Sequence, residues 1–197
     1  MHPLLLKSAV LGVALNLAAI AAATPPAPPW AAGAATLESG VLWQIGTGTP
    51  FAYQLWLTQL SWRSAEFWRR ELAGGSRIVL RHRLALLGTL IRHAPESRYV
   101  GCSGSPSLEW WNRAGNRSLF TGAGGGFGLI DARGIRGGQG QDFTLNWFIR
   151  GGVELVTASD GRFSAGLIYL HMSNGGMTTP NPGIDALGFT LGYGRSF

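Results

Sequence analysis

The sequence predicts an all-β protein, an eight-stranded antiparallel transmembrane β-barrel, and three observations carry the prediction. Eight segments of strand character follow one another between turn residues. Charged residues make up only 13% of the chain, beside 30 Gly and 8 Trp, whereas a soluble domain carries about 25% charge. Along the later segments large apolar residues alternate with small or polar ones, the pattern of a wall with lipid outside and a filled lumen inside.

Taken from the N-terminus, Lys7 precedes an almost unbroken apolar run that ends at Ala23 in three alanines. A charged start, a short apolar core and small residues before the cut describe a secretory signal peptide, here residues 1–23. The run is shorter than the roughly 20 residues of a spanning helix. Residues 24–36, with Pro25, Pro26, Pro28 and Pro29, read as a flexible leader, and the barrel is expected over 37–197.

Its strands are expected at residues 38–46, 52–62, 77–92, 98–112, 118–130, 143–156, 162–174 and 184–197, with residues 65–72 compatible with a helical turn. In the sixth, Phe143, Leu145, Trp147, Ile149, Val153 and Leu155 share one face, and Thr144, Asn146, Arg150 and Glu154 the other. In the eighth, Leu187, Phe189, Leu191, Tyr193 and Phe197 oppose Ala186, Gly188, Thr190, Gly192 and Gly194. A soluble β-sandwich also has apolar inner faces. The signal peptide, the tryptophans and the aromatic last residue favour the barrel. Eight strands make the smallest barrel, filled by side chains and not an open pore.

Several signals resolve to ordinary structure. The glycines of 122–128 lack the Gly-Lys-Ser/Thr and the helix of a phosphate loop, so tight strand packing explains them. Gly101-Cys102-Ser103-Gly104-Ser105 is a broken nucleophile elbow. His82 and His93 have no partners at metal-ligand spacing, and neither a metal nor another cofactor is expected. Cys102 is the one cysteine, so the chain has no internal disulfide. Arg81, Arg83, Arg92 and Arg98 fit lipid-phosphate contacts or a solvated rim. The net charge of +6 suits an anionic surface as well as it suits a merely arginine-rich composition.

The chemistry concentrates in the last two strands. His171 and Ser173 lie two residues apart on one strand and so share a face. A hairpin centred near Thr178 sets Asp185 opposite His171, within the roughly 5 Å that separates paired Cβ atoms. Nucleophile, base and orienting acid then come from a single hairpin. All three share the parity of the large apolar residues, which puts them on the lipid side. Polar groups there are costly, which marks the cluster as functional. With an even strand number both termini are periplasmic, and residues 175–183 form an extracellular loop.

The stretch His171-Met172-Ser173-Asn174-Gly175-Gly176, followed by Asn181-Pro182-Gly183, resembles the outer-membrane lipid A 3-O-deacylase (PagL) family, as do Gly124-Gly125-Gly126-Phe127-Gly128 and the run from Gly138 to Phe143. The resemblance is sharp over residues 122–197 and vague over 37–116. It implies an eight-stranded barrel in the bacterial outer membrane with a His-Ser-Glu triad on its exterior. His171 then matches the base and Ser173 the nucleophile, and Asp185 falls where that family carries Glu. The shorter aspartate is expected to reach the imidazole less well. Asn174, Gly175, Gly176 and Asn181 are the oxyanion and substrate-positioning candidates. The implied partners are lipopolysaccharide, through its lipid A, and outer-membrane lipids, with a homodimer left open and no nucleic acid. Three functions follow: an esterase acting on lipid A, hydrolysis of a phospholipid or other acyl ester by the same machinery, and a non-catalytic barrel with a structural or adhesion role.

Overall fold

The computed structural model describes residues 27–197, so the signal peptide and the first residues of the leader lie outside the described residues. The strands are β1 (Ala34–Gln44), β2 (Gln54–Arg63), β3 (Trp68–Glu71), β4 (Arg77–Arg92), β5 (Arg98–Trp111), β6 (Arg117–Ile130), β7 (Phe143–Val156), β8 (Gly161–Ser173) and β9 (Ile184–Ser196). Every pairing is antiparallel, β1 joins β9, and β2 joins β4, so eight strands close into a barrel.

The short β3 replaces the helical turn expected around residues 65–72. It runs beside β4, where Trp68 pairs with Leu80 and Glu71 with Arg77. β2 pairs with the other half of β4, ending at Arg63 opposite Arg83. The register slips by two residues between them, so β2 and β3 are one long strand interrupted by a bulge. All four residues of β3 are exposed, which is why no apolar alternation announces it.

The outer wall is an apolar belt bounded by aromatic residues. Trp43, Trp56 and Trp147 stand toward one end, and Trp62, Trp110, Phe163 and Tyr193 toward the end where β1 starts and β9 finishes. Two aromatic girdles around an apolar band are the signature of a barrel in a bilayer. Connections at the first of these ends include 45–53, 131–142 and 174–183, longer than the turns 112–116 and 157–160 at the other. By that asymmetry the end with the long connections is extracellular.

The lumen divides into two halves. Toward the extracellular end it is apolar, filled by Leu42, Leu55, Leu57, Phe148, Leu170 and Met172 among others. The expectation of small or polar residues inside therefore holds for the periplasmic half and, in the other half, for Thr144, Asn146 and Ala186, which share the space with these large apolar side chains. There Arg63 bridges Glu109 at 2.7 Å and Glu154 at 3.0 Å, while Arg83 and Arg150 share Glu38. Arg81 and Arg83 thus belong to this network and not to a lipid-facing rim, because alternation along β4 turns them inward. The charged half holds a cavity of about 30 Å³, room for one or two water molecules.

The glycine row of β6 allows the close strand approach. A Cβ added at Gly126 would stand 1.9 Å from the Cys102 carbonyl oxygen, and one at Gly124 would stand 2.1 Å from that of Gly104.

The described part of the leader is ordered against the periplasmic end. Pro28 O accepts from the amides of Ala31 and Ala32, and Trp30 lies under the Arg77 guanidinium at 3.8 Å. Arg81 donates to the carbonyls of Trp30 and Ala32, and Arg162 to that of Pro29. β1 begins at Ala34, four residues before the strand start expected at Glu38. The backbone oxygens of this segment meet N–H groups of the two arginines that remain beyond their contacts with Glu109 and Glu154.

Removing one member of this network tests its weight. Arg63→Met leaves Glu109 and Glu154 each short of a cation, and breaking such a buried pair costs about 3–5 kcal/mol. The barrel should still form, and the loss is expected in denaturant unfolding of the refolded protein in micelles.

Candidate active site

The β8–β9 hairpin carries the site. Tyr169, His171 and Ser173 alternate along β8 on the outer face, and β9 pairs antiparallel so that His171 stands directly opposite Asp185. On the other flank β7 sets Trp147 opposite His171 and Leu145 opposite Ser173. The indole packs on both rings, with centroids 5.6 Å from His171 and 5.0 Å from Tyr169. The three side chains expected to act together are therefore on one wall, at the extracellular girdle.

His171 Nδ1 lies 2.8 Å from Asp185 Oδ1, so the aspartate makes full contact despite its shorter side chain. An ionised carboxylate only accepts, so it selects the imidazole tautomer with the proton on Nδ1 and the lone pair on Nε2. Side-chain exposures of 25% and 30% leave the pair reachable from the membrane. Among the described residues no hydrogen bond joins Ser173 Oγ to His171. Such contacts are often long before substrate binds.

Residues 174–183 shape the neighbouring loop. Asn174 is fully buried, and its Nδ2 donates to the carbonyls of Gln139 at 2.6 Å, Thr178 at 2.9 Å and Pro180 at 3.1 Å. Its Oδ1 accepts from Gly176 N at 2.9 Å, and its own amide donates to Asn181 Oδ1 at 2.9 Å. Two of the candidate oxyanion amides, those of Asn174 and Gly176, are thereby engaged inside the loop. Among the described residues Gly175 N–H and Asn181 Nδ2 have no acceptor. Gly175 and Gly176 hold φ of +66° and +77°, backbone that a side chain would strain.

Sequence reasoning missed the supports around the site. Tyr169 O–H donates to Asp185 Oδ1, the oxygen that also receives His171. Behind the loop, Gln139 N donates to Glu96 Oε1 at 2.9 Å, and Tyr53 O–H donates to Glu96 Oε2 at 2.6 Å. Tyr53, Glu96, Gln139 and Asn174 belong to four different extracellular connections, so one buried chain of hydrogen bonds ties them together. Nothing in the local pattern announces Glu96, whose partners lie 43 residues away on either side.

Asn174→Ala removes the end of that chain that holds the 174–183 loop and leaves buried carbonyls unmet, at about 1–3 kcal/mol for each orphaned group. The expected outcome is a folded barrel whose 174–183 loop is cut faster by protease, read by limited proteolysis and mass analysis of the fragments.

Comparisons with known proteins agree with the architecture. None of the curated proteins matches the chain. Among solved structures, the crystal structure of the outer membrane enzyme PagL superposes with a TM-score of 0.53 at 17% identity, covering 83% of this chain and 99% of that one. The β domain of the Bordetella autotransporter BrkA reaches 0.36 at 16% identity, covering 84% and 80%. The Yersinia pestis outer membrane protein Ail reaches 0.33 at 13% identity, covering 84% and 99%. The first of these shows the fold, a closed outer-membrane β-barrel. The sequence model described as "Lipid A 3-O-deacylase (PagL)" matches residues 40–194, nearly the whole barrel, and the chain belongs to that family.

Proposed function

We propose that this protein is an outer-membrane serine esterase that removes an ester-linked acyl chain, the 3-O-linked one, from the lipid A of lipopolysaccharide. The observation that carries the reading is the His171–Asp185 contact of 2.8 Å on the outer wall, with Ser173 on the same face. Family membership supplies the substrate class.

In this reading Ser173 Oγ attacks the ester carbonyl carbon while His171 Nε2 takes its proton, and Asp185 stabilises the imidazolium that forms. Gly175 N–H and Asn181 Nδ2, without an acceptor among the described residues, are the donors left to stabilise the developing oxyanion. The intermediate collapses to an acyl-serine and expels the sugar hydroxyl, which leaves with the proton from Nε2. Water, deprotonated by the same nitrogen, then attacks the acyl-serine. The fatty acid departs and the proton returns to Ser173. Leu145 and Trp147, exposed beside Ser173 and His171, offer the acyl chain an apolar surface level with the membrane.

Mass spectrometry of lipid A from cells with and without the gene tests the proposal. Expression should yield lipid A lighter by one ester-linked acyl chain, and the Ser173→Ala gene should not. Loss of acyl groups from phospholipid alone would favour the second reading, and no change in either lipid would leave a non-catalytic barrel.

A further inference from the structure

Asp185 sits on the outer wall, where an unsupported carboxylate is costly and its orientation is loosely set. The torsion about Cβ–Cγ of an aspartate is broad, so one hydrogen bond from an imidazole does not hold the carboxylate plane. The structure supplies two more restraints. The first is Tyr169. Its directly opposed residue on β9 is Leu187, which makes Asp185 the diagonal neighbour, a distance of about 7–8 Å that an aromatic side chain spans. Its hydroxyl donates to Asp185 Oδ1, the oxygen that meets His171 Nδ1. The second is Gly46, just past the end of β1, where Ile45 N donates to the Asp185 carbonyl at 2.9 Å. A Cβ added at Gly46 would stand 2.7 Å from Asp185 Oδ2, so the bare backbone forms the back of the carboxylate's seat.

We propose that Tyr169 is a positioning residue which, with Gly46 behind it, clamps the Asp185 carboxylate in the plane that meets His171. The proposal rests on the serine-esterase reading and extends it from three side chains to four. An interfacial tyrosine often serves only as a girdle residue with its hydroxyl among headgroups. Here the hydroxyl is turned to the carboxylate, while the ring keeps its place against Trp147.

Tyr169→Phe separates the two roles, since it preserves the ring and deletes only the donor. In the refolded full chain, with lipid A in mixed micelles, kcat should fall about 10- to 100-fold with KM within about twofold, the scale of a misplaced catalytic group. Nitrogen-edited NMR should show the His171 Nδ1 proton exchanging with water faster than in the wild type, an effect independent of turnover. Gly46→Ala, which presses on the carboxylate from the other side, should produce the same two changes. Tyr193→Phe, a girdle tyrosine at the opposite end of β9, should produce neither. Unchanged kcat together with an unchanged Nδ1 proton in Tyr169→Phe overturns the proposal. So does a faster-exchanging Nδ1 proton with full kcat. If Ser173→Ala itself keeps turnover, the serine reading falls and the catalytic meaning of Tyr169 with it. If Ser173→Ala is dead while Tyr169→Phe is unimpaired, only the Tyr169 assignment falls.

Discussion

Ser173→Ala is expected to lower ester hydrolysis by about 10³- to 10⁶-fold and to leave the barrel folded. The size follows from the way triad members act as a unit, so that losing the nucleophile costs nearly as much as losing the whole set. The folding half follows from position. Ser173 is the last residue of β8, half-buried, and among the described residues its hydroxyl holds no hydrogen bond. Deleting such a group changes stability by no more than about 0.5 kcal/mol. Fatty acid release from lipid A gives the rate, and the difference in gel mobility between unboiled and boiled samples reports the fold. Turnover within tenfold of wild type in a folded variant would remove Ser173 from the chemistry. His171→Ala should match the serine variant.

Asp185→Asn is expected to cost about 10²–10⁴ in rate, the range seen when a triad acid loses its charge but keeps its shape. Two donors converge on one carboxylate oxygen, from Tyr169 and from His171. A carboxamide can still accept both, but it no longer balances the positive charge that His171 acquires as it takes the serine proton. It also lets the amide present N–H to the ring and stabilise the wrong tautomer. A rival role for Asp185 is to cap the Asn181-Pro182-Gly183 turn, in which case the substitution is nearly neutral for rate and shows only in stability. Initial rates and unfolding midpoints measured on the same preparation separate the two.

The sequence carried the strands wherever one face is apolar and the other is not. The segments at 77–92 and 143–156 coincide with β4 and β7, and the hairpin that pairs His171 with Asp185 follows from alternation and a central turn alone. What escaped lacks that contrast. β3 is exposed on all four residues and presents no period. Pro29 reads as leader because its place depends on its carbonyl meeting Arg81 and Arg162, from strands 52 and 133 residues downstream. Arg81 and Arg83 were ambiguous for a related reason, since a charged row has the same parity whether it meets water at a rim or carboxylates in a lumen. Within the site, Tyr169 sat unnoticed in the apolar row that it shares with Leu167, and only the diagonal geometry of two paired strands turns its hydroxyl into a partner of Asp185.

The filled lumen and the outward hairpin together set how the proposed enzyme meets its substrate. A lipid cannot pass through a core packed with Leu42, Phe148 and the Arg63–Glu154 pair, so encounter takes place by lateral diffusion within one leaflet. The quantity that governs rate is then the mole fraction of substrate in the membrane plane and not its amount per volume of solution. Adding inert lipid to vesicles at fixed bulk substrate should slow the reaction in proportion to the dilution of the surface. Adding more vesicles of the same composition should leave the rate per enzyme unchanged.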